Sequence, residues 1–286
     1  MKRKADGPWL YTRSKRPVLV APYSRPKRFV SWVSATDVKN YMLGDSLVDW
    51  LKITKTKPHT SSIISLNTHK KPDPFLAERG KDFERQLVNY IHTHKHPVLS
   101  LSDRITDQSC RQTVRAIRHG IPFIHSAPFR HYKSQTHGVI DFLVRSDYLH
   151  LLTNTAPDPT YPPYYVVIDA KFSTLPLRAD GKYLLNSGNY PAYKAQLWIY
   201  TRAIGAIQGY TSRYAYILGR RNRYTEKGQS HTNLDCFDRL GVIDYQGVDN
   251  SFRETTEKAI AWVKEVRRYG REWSASPPTR PELYPN

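Results

Sequence analysis

The chain has 286 residues, of which 39% are hydrophobic and 24% charged, a composition typical of a globular protein. Its 44 lysines and arginines against 25 acidic residues give a formal net charge of +19, which favours a polyanionic partner, nucleic acid first. The two cysteines argue against a disulfide framework or an iron–sulfur cluster, and no apolar run approaches the roughly 20 residues of a membrane span, so no membrane association is expected.

The N-terminal segment, residues 1–30, carries a large excess of lysine and arginine with scattered prolines, which predicts a flexible basic arm. KRK at 2–4 and KR at 15–16 are spaced like a bipartite nuclear-localisation signal, and contact with nucleic-acid phosphates is an equally good interpretation. No signal-peptide core is present. We therefore expect an intracellular protein, nuclear if the arm is a targeting signal and otherwise cytoplasmic.

Three segments in the first 120 residues have the apolar spacing of helices. The first, SATDVKNYMLGDSLVDWL, offers Thr36 or Asp37 as an N-cap. In the second, residues 73–92, apolar side chains recur every three or four positions along one face. The third covers residues 103–118.

Strand patterns dominate the next part of the chain. IPFIHSAPF, GVIDFLVR and YYVVIDAKF are predicted strands, PAYKAQLWIYTRAIGAI is a predicted helix with Pro191 in its first turn, and RYAYILGRR is a fourth strand. A last helix is expected around residues 253–269. The order helix, three strands, helix, strand predicts an α/β protein with a single domain over residues 31–274, followed by a proline-rich tail at 275–286.

Two charged residues interrupt the third of these strands. Alternate side chains of a strand point to opposite faces, so Asp169 and Lys171 share one face and lie about 7 Å apart. The two charges therefore enter the same space. A structural ion pair at the end of a strand is the alternative interpretation.

Two further carboxylates can join them. If the strands that carry Asp141 and Asp169 are neighbours, these aspartates lie side by side, and Glu84 can approach from the margin of its helix. Buried without compensation, such a cluster would be costly. Mg²⁺ is suited to a site of one or two carboxylates plus substrate phosphates. Alternatively, Asp141 caps a neighbouring turn and Glu84 is an ordinary exposed acid.

The second long helix adds a polar face. Gln196 and Tyr200 are four residues apart, so they project from the same side, and Tyr193 lies three residues before Gln196. A core glutamine bonded to the backbone and an ordinary packing tyrosine are the alternatives for Gln196 and Tyr200.

The order of these motifs resembles that of the PD-(D/E)XK nuclease superfamily, near its RecB-type and phage-exonuclease-like branch. The resemblance covers roughly residues 75–220 and rests on Glu84 in GKDFE, Asp141 in GVID, Asp169 and Lys171 in IDAK, and Gln196 with Tyr200 in QLWIY. It implies a restriction-endonuclease-like αβββαβ core, with a central mixed β-sheet flanked by helices.

The resemblance also implies hydrolysis of DNA phosphodiester bonds with Mg²⁺ or Mn²⁺, in the processing of replication, recombination or repair intermediates. The carbonyl of Ala170 would be a further metal ligand beside Glu84, Asp141 and Asp169. Ile140 stands where the superfamily's name has a proline, and the cysteines that hold an iron–sulfur cluster in some RecB-type relatives are absent.

These residues suggest a division of roles. The metal would polarise a phosphoryl oxygen and lower the pKa of a water molecule, while Lys171 orients that water and stabilises developing negative charge. Gln196 and Tyr200 would fix the geometry of the metal site or contact the strand backbone. Nucleic-acid contacts are expected from Tyr193 and from the arginines of GRRNRY, Arg220, Arg221 and Arg223, although a solvated loop also explains that segment.

Two other function classes are compatible with parts of the pattern. A catalytically inactive nuclease-like module would bind nucleic acid without cutting it. A glycosidase would use Asp141 and Asp169 as its acid and base, but that reading explains neither Lys171 nor the positive charge. The residues leave open whether DNA or RNA is cut, whether the action is exo or endo, and what the oligomeric state is.

Overall fold

The computed structural model describes residues 32–54, 74–153 and 162–284, which all fall within one compact unit, Ser31–Asn286. The predicted basic arm, residues 1–30, lies outside the described residues. Among the described residues, no helix is both long and apolar enough to cross a membrane.

Six α-helices occur in the described ranges: α1 (Lys39–Met42), α2 (Leu47–Thr54), α3 (Pro74–His94), α4 (Asp107–Arg118), α5 (Tyr190–Gln208) and α6 (Ser251–Tyr269). The predicted cap of the first helix is wrong, because Val38 occupies the N-cap position of α1 without a side-chain bond. Asp37 instead accepts a hydrogen bond from the Ser34 backbone and pairs with Arg267 on α6. The segment also breaks into two short helices, with Gly44 at a φ of 76° between them.

The described residues contain eight strands, which form one sheet: β1 (Val33–Ser34), β2 (Leu99–Ser100), β3 (Phe123–His131), β4 (Thr136–Arg145), β5 (Tyr165–Pro176), β6 (Tyr214–Glu226), β7 (Gln229–Asn233) and β8 (Gly241–Asp244). Their order is β2-β3-β4-β5-β6-β7, with β1 beside β4 and β8 beside β6. The β3–β4 and β4–β5 pairs are antiparallel, whereas β5 and β6 are parallel, joined through α5. The predicted α/β class with a mixed central sheet is confirmed.

The sheet is covered on both faces. Alternate residues of β5 divide between two apolar clusters, with Val167 packing beneath α5 and Ile168 beneath α3. Ile199 of α5 is fully buried in the first cluster, and Ile91 of α3 is fully buried in the second. Helices flank the sheet because each of its faces is apolar in the middle of the strands.

The fourth predicted strand extends further than expected. GRRNRY is not a loop, because β6 runs on to Glu226 and turns back into β7 through Lys227 and Gly228. Both turn residues have positive φ, 47° and 82°, the geometry of a tight hairpin. Lysine is an unusual first residue for such a turn, so β7 was not predicted. The three arginines of this segment thus lie on a strand.

A buried ion pair ties α5 to the chain that surrounds it. Lys194 is fully buried and donates to the Asp249 carboxylate at 2.6 Å, the Asn186 side chain at 2.6 Å and the Leu184 carbonyl at 2.8 Å. All three ammonium hydrogens therefore have acceptors. Because Lys194 follows Tyr193, this pair also fixes the part of α5 that carries the predicted site residues.

Replacing Lys194 with methionine should destabilise the protein by about 3–5 kcal/mol, because the Asp249 carboxylate would stay buried without its partner. The free energy of unfolding in urea would measure the loss. Adding Asp249→Asn to the Lys194→Met variant should recover part of the lost free energy of unfolding. Lys258→Met, which breaks an exposed pair on α6, is the matched control and should have little effect. A loss at Lys194 no larger than that of the control would contradict the prediction.

Candidate active site

The candidate site lies where the ladder between β4 and β5 ends. The last paired residues are Phe142 and Ile168, and Asp141 and Asp169 occupy the next position on each strand. Beyond that point, the Ala170 backbone N–H donates to Asp141 Oδ2 at 2.8 Å instead of to a strand carbonyl. The two strands are neighbours, and the two aspartates are therefore adjacent.

The strands are irregular at this level. Ile140 and Leu143 both pack in the cluster beneath α5, while Phe142 packs beneath α3, so the in–out alternation of β4 changes phase around Asp141. On the other side, the register of β3 brings Ser126 opposite Asp141, and Ser126 has a φ of 53°. Left-handed backbone of this kind in a non-glycine residue is uncommon and concentrates at functional sites.

Asp169 and Lys171 form an ion pair, with Lys171 Nζ 2.5 Å from Asp169 Oδ2. The Asp169 side chain is 1% exposed and that of Lys171 is 23% exposed, so the pair extends from the protein interior to the solvent-exposed surface. Asp169 Oδ1 is buried and has no hydrogen-bond donor among the described residues. A buried carboxylate oxygen without a donor is costly, and it marks a position at which a cation or another ligand would be stabilising.

The charges at the site perturb one another. Burial raises the pKa of Asp141 well above its usual range, and the charges of Asp169 and Glu84 raise it further, against the opposing effect of Lys171. Burial alone would lower the pKa of Lys171, but the Asp169 and Asp141 carboxylates outweigh burial and raise it. Lys171 therefore stays protonated, and its single charge does not balance two ionised aspartates.

Glu84 approaches from α3 but has a partner of its own. Its Oε1 atom lies 2.8 Å from Nε2 of His125, whose other ring nitrogen lies 3.1 Å from the Ser100 hydroxyl. Within residues 32–54, 74–153 and 162–284, no three histidine, cysteine, aspartate or glutamate side chains are grouped closely enough to hold a metal. The structure thus brings Asp141 and Asp169 together and leaves Glu84 at the margin, bonded to His125.

Sequence reasoning missed His125. Its signal was a polar pair, His125 and Ser126, in the middle of an otherwise apolar strand, the same kind of interruption that identified Asp169. Open space also lies beside Glu84, because a Cβ atom on Gly80, one helical turn earlier, would meet no heavy atom within 4 Å.

Two of the predicted residues on α5 are bonded to each other. Gln196 Nε2 donates to the Tyr200 hydroxyl at 2.8 Å, and Tyr200 is 3% exposed. Burial raises the pKa of Tyr200, and the nearby charges of Asp169 and Asp141 raise it further, so the phenol stays neutral. Gly138 on β4 lets the ring approach, since a Cβ there would lie 2.7 Å from it.

Tyr193 lies on the same side of the sheet, with Lys171 Nζ 4.9 Å from the centre of its ring. The ring therefore faces the ammonium group in a cation–π contact. Together with Gln196 and Tyr200, it forms the α5 wall of the candidate site.

The predicted arginines are exposed on β6. Gly219 pairs with Lys171, so Arg220 lies one residue beyond the level of the ion pair. Arg221 and Arg223 continue outward along the strand and are also exposed. Because side chains alternate along a strand, Arg221 and Arg223 share one face of β6 and Arg220 lies on the other, against Phe172.

Compared with protein-family models and with curated proteins, the chain matches none.

Replacing Asp141 with asparagine should raise the metal-free stability by about 1 kcal/mol near neutral pH, because the neutral amide avoids the cost of burying a charge and the repulsion from Asp169, which together raise the pKa of this carboxyl. Mg²⁺ should raise the melting temperature of the wild type and have much less effect on the variant, since a ligand stabilises only a protein that binds it. Thermal unfolding in EDTA and in Mg²⁺ would test both expectations.

The matched control is Asp103→Asn, which neutralises an exposed carboxylate and should change neither quantity. An equal response to Mg²⁺ in the wild type and in Asp141→Asn would exclude Asp141 as a ligand.

Proposed function

We propose that the protein is a metal-dependent nuclease of the PD-(D/E)XK type, with a restriction-endonuclease-like core, that hydrolyses phosphodiester bonds of DNA. The observation that carries the proposal is the buried Asp169 carboxylate, one oxygen of which lacks a donor, adjacent to Asp141 and paired with Lys171. Two carboxylates and an ammonium ion at the end of a strand ladder could together bind a cation and a phosphate group.

A divalent cation fits these residues. Asp141 and Asp169 would supply oxygen ligands that suit Mg²⁺, with Mn²⁺ as a substitute. Ala170, the residue between Asp169 and Lys171, would supply its backbone carbonyl as a further ligand. Glu84 would be a further ligand if its carboxylate turned from His125 toward Asp141. When bound, the cation would neutralise the carboxylates and supply Lewis-acid polarisation of a phosphate oxygen.

Lys171 would provide the protein's own positive charge at the reacting phosphate. Its raised pKa means that it remains protonated, so it acts as a hydrogen-bond donor and not as a general base. It can orient a water molecule through its N–H groups and stabilise the negative charge that develops on the phosphate. The Asp169 and Tyr193 contacts hold the ammonium group on this side of the sheet.

The α5 residues would complete the positioning. Tyr200 is a neutral phenol bonded to Gln196, so this pair can keep the ring beside the two aspartates, where a charged group would add repulsion. The exposed Arg221 and Arg223 would contact phosphates further along the strand, because neither has an acidic partner among the described residues that would neutralise it. RNA is an alternative polyanion for the same contacts.

A second function is a nuclease-like module that binds nucleic acid without cutting it. The observation that favours it is the Glu84–His125 bond, together with the lack of a three-ligand group among the described residues. The same experiment distinguishes the two functions.

Replacing Lys171 with alanine should reduce cleavage about 100-fold or more while leaving binding largely intact, because the change removes charge from the reacting phosphate. The measurement uses end-labelled linear DNA, closed circular DNA and labelled RNA, each with Mg²⁺ and with EDTA. Attack on circles would identify endonuclease action, and attack on linear DNA alone would identify exonuclease action.

Lys258→Ala on α6 is the matched control and should cut like the wild type. Metal-dependent cleavage that survives in Lys171→Ala would refute the role of this lysine. Tight, salt-sensitive binding by the wild type without any cleavage would favour the non-catalytic module.

A further inference from the structure

Three side chains from three different elements contact one another beside the candidate site, with the two phenylalanine rings tilted by 55° to each other. The rings of Phe83 on α3 and Phe172 on β5 lie 5.8 Å apart, and the guanidinium carbon of Arg220 on β6 lies 4.8 Å from the centre of the Phe172 ring. Neither phenylalanine is fully buried, and Arg220 is exposed. We call this group the Phe–Phe–Arg stack.

The stack is next to the residues proposed for chemistry. Phe83 precedes Glu84 along the chain, and Phe172 follows Lys171. The register of β5 and β6 shifts between Lys171 and Thr174, so the regular pairing is interrupted where Phe172 emerges. Phe172 contacts α3 whereas Lys171 faces Tyr193 on α5, so the stack lies on the α3 side of the candidate site, one residue from Lys171 along the strand.

The geometry distinguishes Arg220 from its neighbours. Arg221 and Arg223 have no aromatic ring beneath them among the described residues, and their charged groups are suited to phosphates in any conformation. Arg220 lies over the Phe172 ring and is otherwise exposed to solvent. A guanidinium plane held in this way is a stacking surface for a nucleobase as well as a positive charge.

We propose that the Phe–Phe–Arg stack receives the base of an unpaired nucleotide next to the bond that is cut, so that the preferred substrate is single-stranded nucleic acid. The inference rests on the proposed nuclease function and specifies its substrate. In a duplex both faces of each base are covered by neighbouring pairs, and only an unpaired base can present a face to the stack. Tyr193 offers a second ring on the α5 side, so an unpaired strand would have aromatic contacts on both sides of Lys171.

The test is binding by the full-length chain in EDTA, where no metal-dependent cleavage occurs. Fluorescence anisotropy would compare a labelled single-stranded oligodeoxynucleotide, an abasic strand of equal length and a duplex of the same sequence. We expect the wild type to bind the base-bearing strand about tenfold more tightly than the abasic strand, because stacking of a base contributes affinity that a phosphate cannot.

Two variants locate the effect. Arg220→Lys keeps the charge but removes the planar group, and Phe172→Leu keeps an apolar side chain but removes the ring. Each should lower the affinity for the base-bearing strand toward that for the abasic strand, and should leave abasic binding unchanged. Arg223→Lys makes the same chemical change on the same strand but outside the Phe–Phe–Arg stack. This variant should still bind the base-bearing strand more tightly than the abasic strand, by the same factor as the wild type.

Equal binding of base-bearing and abasic strands by the wild type would overturn the proposal. So would undiminished discrimination in Arg220→Lys when that variant is folded, or tighter binding of the duplex than of the single strand. Because binding is measured without metal, a failure to cut DNA in Mg²⁺ would refute the nuclease function and leave this result standing.

Discussion

The arrangement of the site depends on one electrostatic constraint. Two aspartates, Asp141 and Asp169, lie side by side at the end of an antiparallel ladder, and the single ammonium ion of Lys171 separates them from solvent. Asp141 replaces a strand carbonyl as the acceptor of the Ala170 N–H, which opens the sheet at this point. Asp169 is paired through one oxygen only. An excess of buried negative charge is destabilising without a second cation, and this excess makes the site suited to one.

The rest of the fold holds that charge in place. Apolar clusters on both faces of the sheet keep water from β4 and β5, which increases the cost of the aspartates and strengthens every interaction between them. The buried Lys194–Asp249 pair has a complementary role, since all its donors are satisfied and it fixes α5 against the sheet. The Lys194–Asp249 pair has all its donors satisfied, whereas the Asp169–Lys171 pair leaves one carboxylate oxygen without a donor among the described residues.

Around this centre the surface changes from a neutral wall to a cationic track. The α5 side supplies a phenol, an amide and an aromatic ring, while β6 supplies exposed guanidinium groups that begin one residue beyond the level of Lys171. The Phe–Phe–Arg stack lies on the α3 side, where Phe83 meets Phe172. For the proposed nuclease, attraction of a phosphate chain would need only charge, whereas the choice among nucleic acids would need aromatic surfaces at fixed positions, such as the Phe172 ring under Arg220.

Local patterns in the sequence determined much of this protein: the helical spacing of α3 and α5, the apolar strands, and the shared face of Asp169 and Lys171, because these depend on residues close together in the chain. Tertiary structure alone decided the rest. The Glu84–His125 bond, the phase change around Asp141 and the stacking of Arg220 on Phe172 each join residues of different strands or helices. Hairpin β6–β7 was missed because an ordinary lysine occupies a left-handed turn position. Periodicity specifies which side of an element is buried, but only packing specifies which side chains then meet.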